Sequence, residues 1–146
     1  MAKKKMTTKE AQEKIVKNMR SWQKIERSAV TQTAQIEEKS KNPIIQLVME
    51  IIQRDSRMHY RVQDLIAASL ESKAVTLSPE EVGRVWSMIE THIELERKTV
   101  KLAKKSIEAT SGRKGLIIQR YLLEYLLADE EKHDLLLDNL EAIKKD

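Results

Sequence analysis

A chain of 146 residues that is 40% hydrophobic and 34% charged, with 3 Gly, 2 Pro, no Cys and no Phe, suits one compact domain with few turns. So little turn-forming and aromatic content excludes an all-β domain or a doubly wound sheet, and the lack of Cys excludes disulfides, zinc-thiolate and iron–sulfur sites and thiol nucleophiles. The net charge of +4 is interleaved rather than blocked, which argues against nucleic acid, and no secretory leader or run of about 18 apolar residues is seen, so the expectation is a cytoplasmic protein with no membrane partner.

Residues 1–7 read as a disordered basic tail. Thr7 stands three residues before Glu10, a capping-box spacing that opens a first helix over about 8–40. Asn42-Pro43 pairs an N-cap with a proline at the first helical position and opens a second, about 43–72. Ser78-Pro79-Glu80-Glu81 combines cap, proline and N3 glutamate at the start of a third, about 79–110. Ser111-Gly112-Arg113 closes it with a glycine suited to a left-handed conformation, and a fourth helix follows over about 114–143. Short connections between helices of this length predict a single all-α domain, an antiparallel four-helix bundle.

Helical spacing assigns the core. The first helix offers Ile15, Met19, Trp22, Ile25, Ala29 and Ile36, and the second Ile44, Val48, Ile51, Met58, Val62 and Leu65. The third offers Val82, Val85 or Trp86, Ile89, Ile93, Val100 and Ile107, and the fourth Ile118, Leu122, Leu126, Leu136 and Leu140. Trp22 and Trp86 are expected as core fillers, and Gly83 as a point of close helix packing. A faint repeat relates the two halves: Trp22 to Glu26 resembles Trp86 to Glu90, and the next helix in each half carries an Asp four residues before a His, Asp55 before His59 and Asp129 before His133.

Each apolar stripe is interrupted by acid or histidine. The interruptions are Glu26 in the first helix, Asp55 and His59 in the second, one of Glu90, Glu94 or Glu96 in the third, and Glu130 with His133 in the fourth. At about 1.5 Å per residue Glu26, His59, Glu96 and His133 lie roughly 23–30 Å from the turn that joins the two helices of their half, near the middle of the predicted bundle. Carboxylates clustered away from water repel one another and are costly to desolvate, and a polyvalent cation among them relieves both penalties.

In these residues the chain resembles the ferritin-like superfamily, in particular the rubrerythrin-type di-iron carboxylate bundles, whose ligands are a Glu from each of two helices and a Glu-x-x-His pair from each of the other two. Glu130-Glu-Lys-His133 matches the fourth-helix motif. The resemblance implies Glu130 as a bridging and His133 as a terminal ligand, with Glu26 and one of Glu90, Glu94 or Glu96 as the lone glutamates. In the second helix His59 is preceded at three residues by Ser56 rather than Glu, with Asp55 the nearest acid, so a mononuclear or partial site stands beside a di-iron one. The connection before Ser78 is also too short for the family's crossover, so either the second helix ends well before Ser72 or the helices run simply up-down-up-down. The implied cofactor is iron and the implied chemistry metal handling or oxidase- or peroxidase-type reactions, with a separate protein delivering electrons.

A second reading needs no metal. The polar layer pairs with Arg54, Arg57, Arg97 or Arg120 and sets register, His92 is a surface residue rather than the auxiliary ligand that its neighbours Glu90 and Glu96 would make it beside a metal, and Ile45, Ile52, Leu95 and Tyr125 bury a face between copies in a homo-oligomer, with a dimer favoured. The two readings separate on whether Glu26, Glu130 and His133 converge or find Arg and Lys.

Overall fold

The computed structural model describes residues 5–145, and among these the chain is helical with no strand. Four α-helices follow in order: α1 Thr8–Lys39, α2 Pro43–Glu71, α3 Pro79–Ala109 and α4 Ile117–Lys145, the last preceded by one 3₁₀ turn at Lys114–Leu116. Of the predicted basic tail, residues 1–4 lie outside the described residues, and Lys5 to Thr7 lead into α1 without helical structure. The second helix keeps its predicted bounds, helical to Glu71 and capped at Ser72, so the alternative of an early end does not occur. The fourth helix differs at both ends: its first turn tightens to 3₁₀, and its last runs on past the predicted stop at 143.

The caps act where the sequence places them. Thr7 Oγ1 accepts from Glu10 N–H at 3.1 Å, and Asn42 Oδ1 accepts from Ile44 and Ile45 N–H at 2.9 and 3.4 Å. Ser78 Oγ accepts from Glu81 N–H at 3.1 Å. Its hydroxyl also donates to Glu81 Oε1 at 3.2 Å, so the glutamate closes on the side chain of the cap. Gly112 takes φ of +68°, the left-handed turn after α3.

The chain divides into two compact units, Met1–Val75 and Thr76–Asp146. Each is an antiparallel helical hairpin, α1 with α2 and α3 with α4. In the first, partners descend α2 as they ascend α1: Arg20 meets Asp64 and Glu71, Gln23 the backbone of Tyr60, Glu26 meets His59, and Ser40 accepts from Gln46. In the second, Trp86 lies under Lys144 and Glu96 meets His133.

Burial follows an alternating three- and four-residue spacing in every helix, the pattern of a two-helix seam. In α1 it selects Val16, Met19, Gln23, Glu26, Val30, Thr33 and Glu37, and in α2 Gln46, Met49, Gln53, Ser56, Tyr60, Gln63 and Ala67. The fully buried members of that seam, Gln23, Glu26, Thr33, Ser56, Gln63 and Ala67, are polar but for one alanine. In the predicted stripe beside that seam, Ile15, Trp22, Ile25 and Ile36 of α1 and Met58, Val62 and Leu65 of α2 are exposed, Trp22 at 49% and Ile25 at 64%. Trp22 as a core filler is thus corrected. The reason is that the amide of Gln23 reaches across to the Tyr60 carbonyl and to Asp64, which turns the polar stripe inward and the apolar one out.

In α3 the seam runs Val82, Trp86, Ile89, Ile93, Glu96, Val100, Ala103 and Ile107, the predicted stripe with Trp86 chosen over Val85. In α4 it shifts by a residue or so, to Leu123, Leu127, Glu130, Asp134, Leu137 and Glu141, leaving Ile118, Leu126 and Leu136 exposed. Gly83 is corrected as well, since a Cβ built there meets nothing within 4 Å. No helix among the described residues is long and apolar enough to cross a membrane.

Candidate metal centre

Position 96 is a seam position of α3, so its side chain is carried inward although it is a glutamate. Glu96 is 5% exposed. Its Oε1 lies 2.9 Å from His133 Nδ1 on α4 and 3.0 Å from His92 Nε2 one turn earlier on α3. A carboxylate can only accept, so both imidazole nitrogens carry their hydrogens toward this one oxygen when Glu96 is ionised. The other oxygen, Oε2, is buried without a hydrogen-bond partner, as is Glu130 Oε2 from the facing helix.

Glu96, Glu130 and His133 each offer a donor atom, and these atoms lie within 4.8 Å of one another. Helical geometry explains the convergence: Glu130 and His133 are three residues apart on one face of α4, and the hairpin sets that face against Glu96. Asp129 backs the site, with Oδ2 3.6 Å from His133 Nε2, while its Oδ1 is held 2.7 Å from Lys132 Nζ. Two carboxylates and an imidazole, with two buried oxygens lacking a donor, form a ligand set of hard and borderline character suited to a divalent transition metal. The residues present therefore fit a metal ion, with the Asp129 carboxylate near the outer imidazole nitrogen but beyond hydrogen-bond distance.

The first hairpin places a comparable pair. Glu26, 7% exposed at a seam position of α1, brings Oε2 to 3.2 Å from His59 Nδ1 on α2. The distance is short, but the angle is not that of a hydrogen bond, so the oxygen has an imidazole beside it and no aligned donor. Glu26 also lines an open cleft of about 410 Å³ with Arg27, Val30, Thr31, Ser56, Arg57 and Tyr60. The Arg27 guanidinium stacks 5.2 Å from the Tyr60 ring centre and donates to its hydroxyl at 2.7 Å. Further along, Arg20 donates to Asp64 at 2.8 Å and to Glu71 at 3.1 Å. Its hydrogen bond, helped by one from Gln23, holds the Asp64 carboxyl below the usual carboxylate range, and Asp64 in turn raises the Arg20 guanidinium above its ordinary value.

Of the sequence-predicted ligands, Glu96, Glu130 and His133 come together, and Glu26 meets His59. Glu90 is drawn off, accepting from Trp86 Nε1 at 2.7 Å. Glu94 is exposed on the rim of a small cleft with Trp86, Ile93 and Arg97. Asp55 is half-buried and not a member of the donor group. Of the expected arginine partners, Arg54 is taken up by Glu50 and Arg120 by Glu124, one helical turn away in each case, while Arg57 lines the cleft beside Glu26 and Arg97 the one beside Glu94. By burial and by its facing histidine, Glu96 plays in the second hairpin the part that Glu26 plays in the first, although the sequence match pairs Glu26 with Glu90. Sequence reasoning undervalued His92, whose four-residue step to Glu96 was the available signal. Comparison with family models, curated proteins and solved structures gave no match.

Proposed function

We propose that this chain is a metal-binding helical protein whose α3–α4 hairpin holds a divalent transition metal, iron foremost, through Glu96, Glu130 and His133. The observation that carries the reading is Glu96: a carboxylate at a helix seam, with one oxygen between two imidazoles and the other buried without a donor, opposite a second such oxygen on Glu130. A bound cation satisfies both oxygens and offsets the repulsion between the two carboxylates. The same residues carry the resemblance to ferritin-like di-iron bundles, and with it a role in metal handling or oxidase- or peroxidase-type chemistry served by a separate electron donor. When bound, iron supplies an open coordination position for an oxidant. The chain's own part is to bring Glu96, Glu130 and His133 together and keep Glu96 out of water.

The test is metal content of the purified protein after aerobic Fe(II) loading and desalting, beside a Glu130→Ala/His133→Ala variant treated alike. Stoichiometric iron in the wild type and its loss in the variant are expected; a wild type that retains no metal overturns the reading.

A second reading is favoured by the exposed apolar side chains of α1 and α2, Trp22, Ile25, Met58, Val62 and Leu65. It makes the chain an assembly module in which the Glu–His pairs act without metal, and a homodimer is its simplest form. Sedimentation equilibrium decides it, since a chain that stays monomeric across a wide concentration range removes this reading.

A further inference from the structure

We infer that His92 is a fourth donor at the α3–α4 centre, giving a two-nitrogen, two-carboxylate set that selects borderline divalent metals such as zinc, cobalt or ferrous iron over magnesium and calcium. The inference rests on the metal reading above and deepens it. In the structure His92 stands just outside the trio of converging donors, yet its Nε2 is aimed at the oxygen that His133 also approaches, at 3.0 and 2.9 Å. A metal that binds Glu96 and His133 takes over that oxygen and leaves the His92 nitrogen without its acceptor, beside the ion.

Reach is available. His92 and Glu96 are four residues apart on one helical face, so a small side-chain rotation brings the nitrogen from hydrogen-bond to bonding distance. The His92 side chain is 58% exposed, which leaves room for that rotation, whereas Glu96 is 7% exposed and fixed. Two imidazoles favour borderline metals, while magnesium and calcium are held by oxygen alone.

The full-length protein is titrated with Co(II) and followed by its visible d–d absorption, for the wild type, His92→Ala, His92→Gln and the Glu130→Ala/His133→Ala variant. Wild-type binding should survive a large excess of Mg(II). His92→Ala should weaken it by at least the roughly 10–100-fold typical of losing a supporting group around a metal, with a shifted spectrum as water replaces nitrogen. His92→Gln keeps a hydrogen-bond donor toward Glu96 but no imidazole, so it should behave like His92→Ala. Wild-type affinity and spectrum in either His92 variant, with the double variant inactive, overturn this inference alone. Absence of Co(II) binding by the wild type overturns the metal reading beneath it.

Discussion

Two glycines illustrate how residue-level conformation decides the effect of adding a single carbon. Gly112 sits at φ of +68° with open space around its missing Cβ, so an alanine there meets no clash and bears only the backbone cost of a left-handed residue. Gly112→Ala should destabilise the fold by roughly 1–2 kcal/mol. Gly83 has equally open surroundings but ordinary helical geometry inside α3, so Gly83→Ala should stabilise by roughly 0.5–1 kcal/mol. Urea midpoints for the two variants should move in opposite directions from that of the wild type. Gly112 was legible in the sequence because it follows the last periodic residue of α3. The role of Gly83 was not, since an isolated glycine in a helix looks the same whether a neighbour crowds it or nothing does.

At the scale of helices, the boundaries were readable because caps are local chemistry: a hydroxyl or amide at the right offset from orphan N–H groups needs no tertiary context. The inward face was readable in α3, where the most apolar stripe and the seam coincide at Trp86, Ile89 and Ile93. It was not readable in α1 and α2, where Gln23, Glu26, Ser56 and Gln63 close the hairpin and hydrophobic periodicity selects the neighbouring stripe instead. The candidate site shows the same division. Glu130 and His133 were legible as an i, i+3 pair, whereas choosing Glu96 over Glu90 and Glu94 required the register of α3 against α4. The seam of the first hairpin also predicts a response to acid. Because Asp64 is held below its ordinary value in the folded state, its ion pair with Arg20 contributes stability above the pKa of the unfolded chain, near 3.8, and loses it as the pH falls through the folded value. Arg20 stays charged throughout. Asp64→Asn should therefore lower the urea midpoint at pH 7 and differ progressively less from the wild type as the pH is taken below about 4. Both side chains are exposed, so the effect is small and shrinks further in high salt.

For the molecule as a whole, the division into two hairpins places an exposed, non-helical stretch at 73–77 between α2 and α3. Backbone outside helical hydrogen bonding is where a protease gains first access. Brief trypsin treatment read by mass spectrometry should show cleavage after Lys73 before any cut at the many Lys and Arg residues within the four helices.

The polar seam of the first hairpin also has a thermal consequence. Among the described residues the buried side chains are mostly polar, with Ala67, Val82, Trp86 and Ala103 the apolar exceptions. Exposing apolar surface raises the heat capacity of the unfolded chain and exposing polar surface lowers it, so unfolding here should show an increment below the roughly 12–15 cal/mol/K per residue usual for globular proteins. Differential scanning calorimetry at several pH values measures it as the slope of unfolding enthalpy against midpoint temperature. A small slope makes the stability curve broad and shallow, so that cooling costs the fold little and warming weakens it gradually.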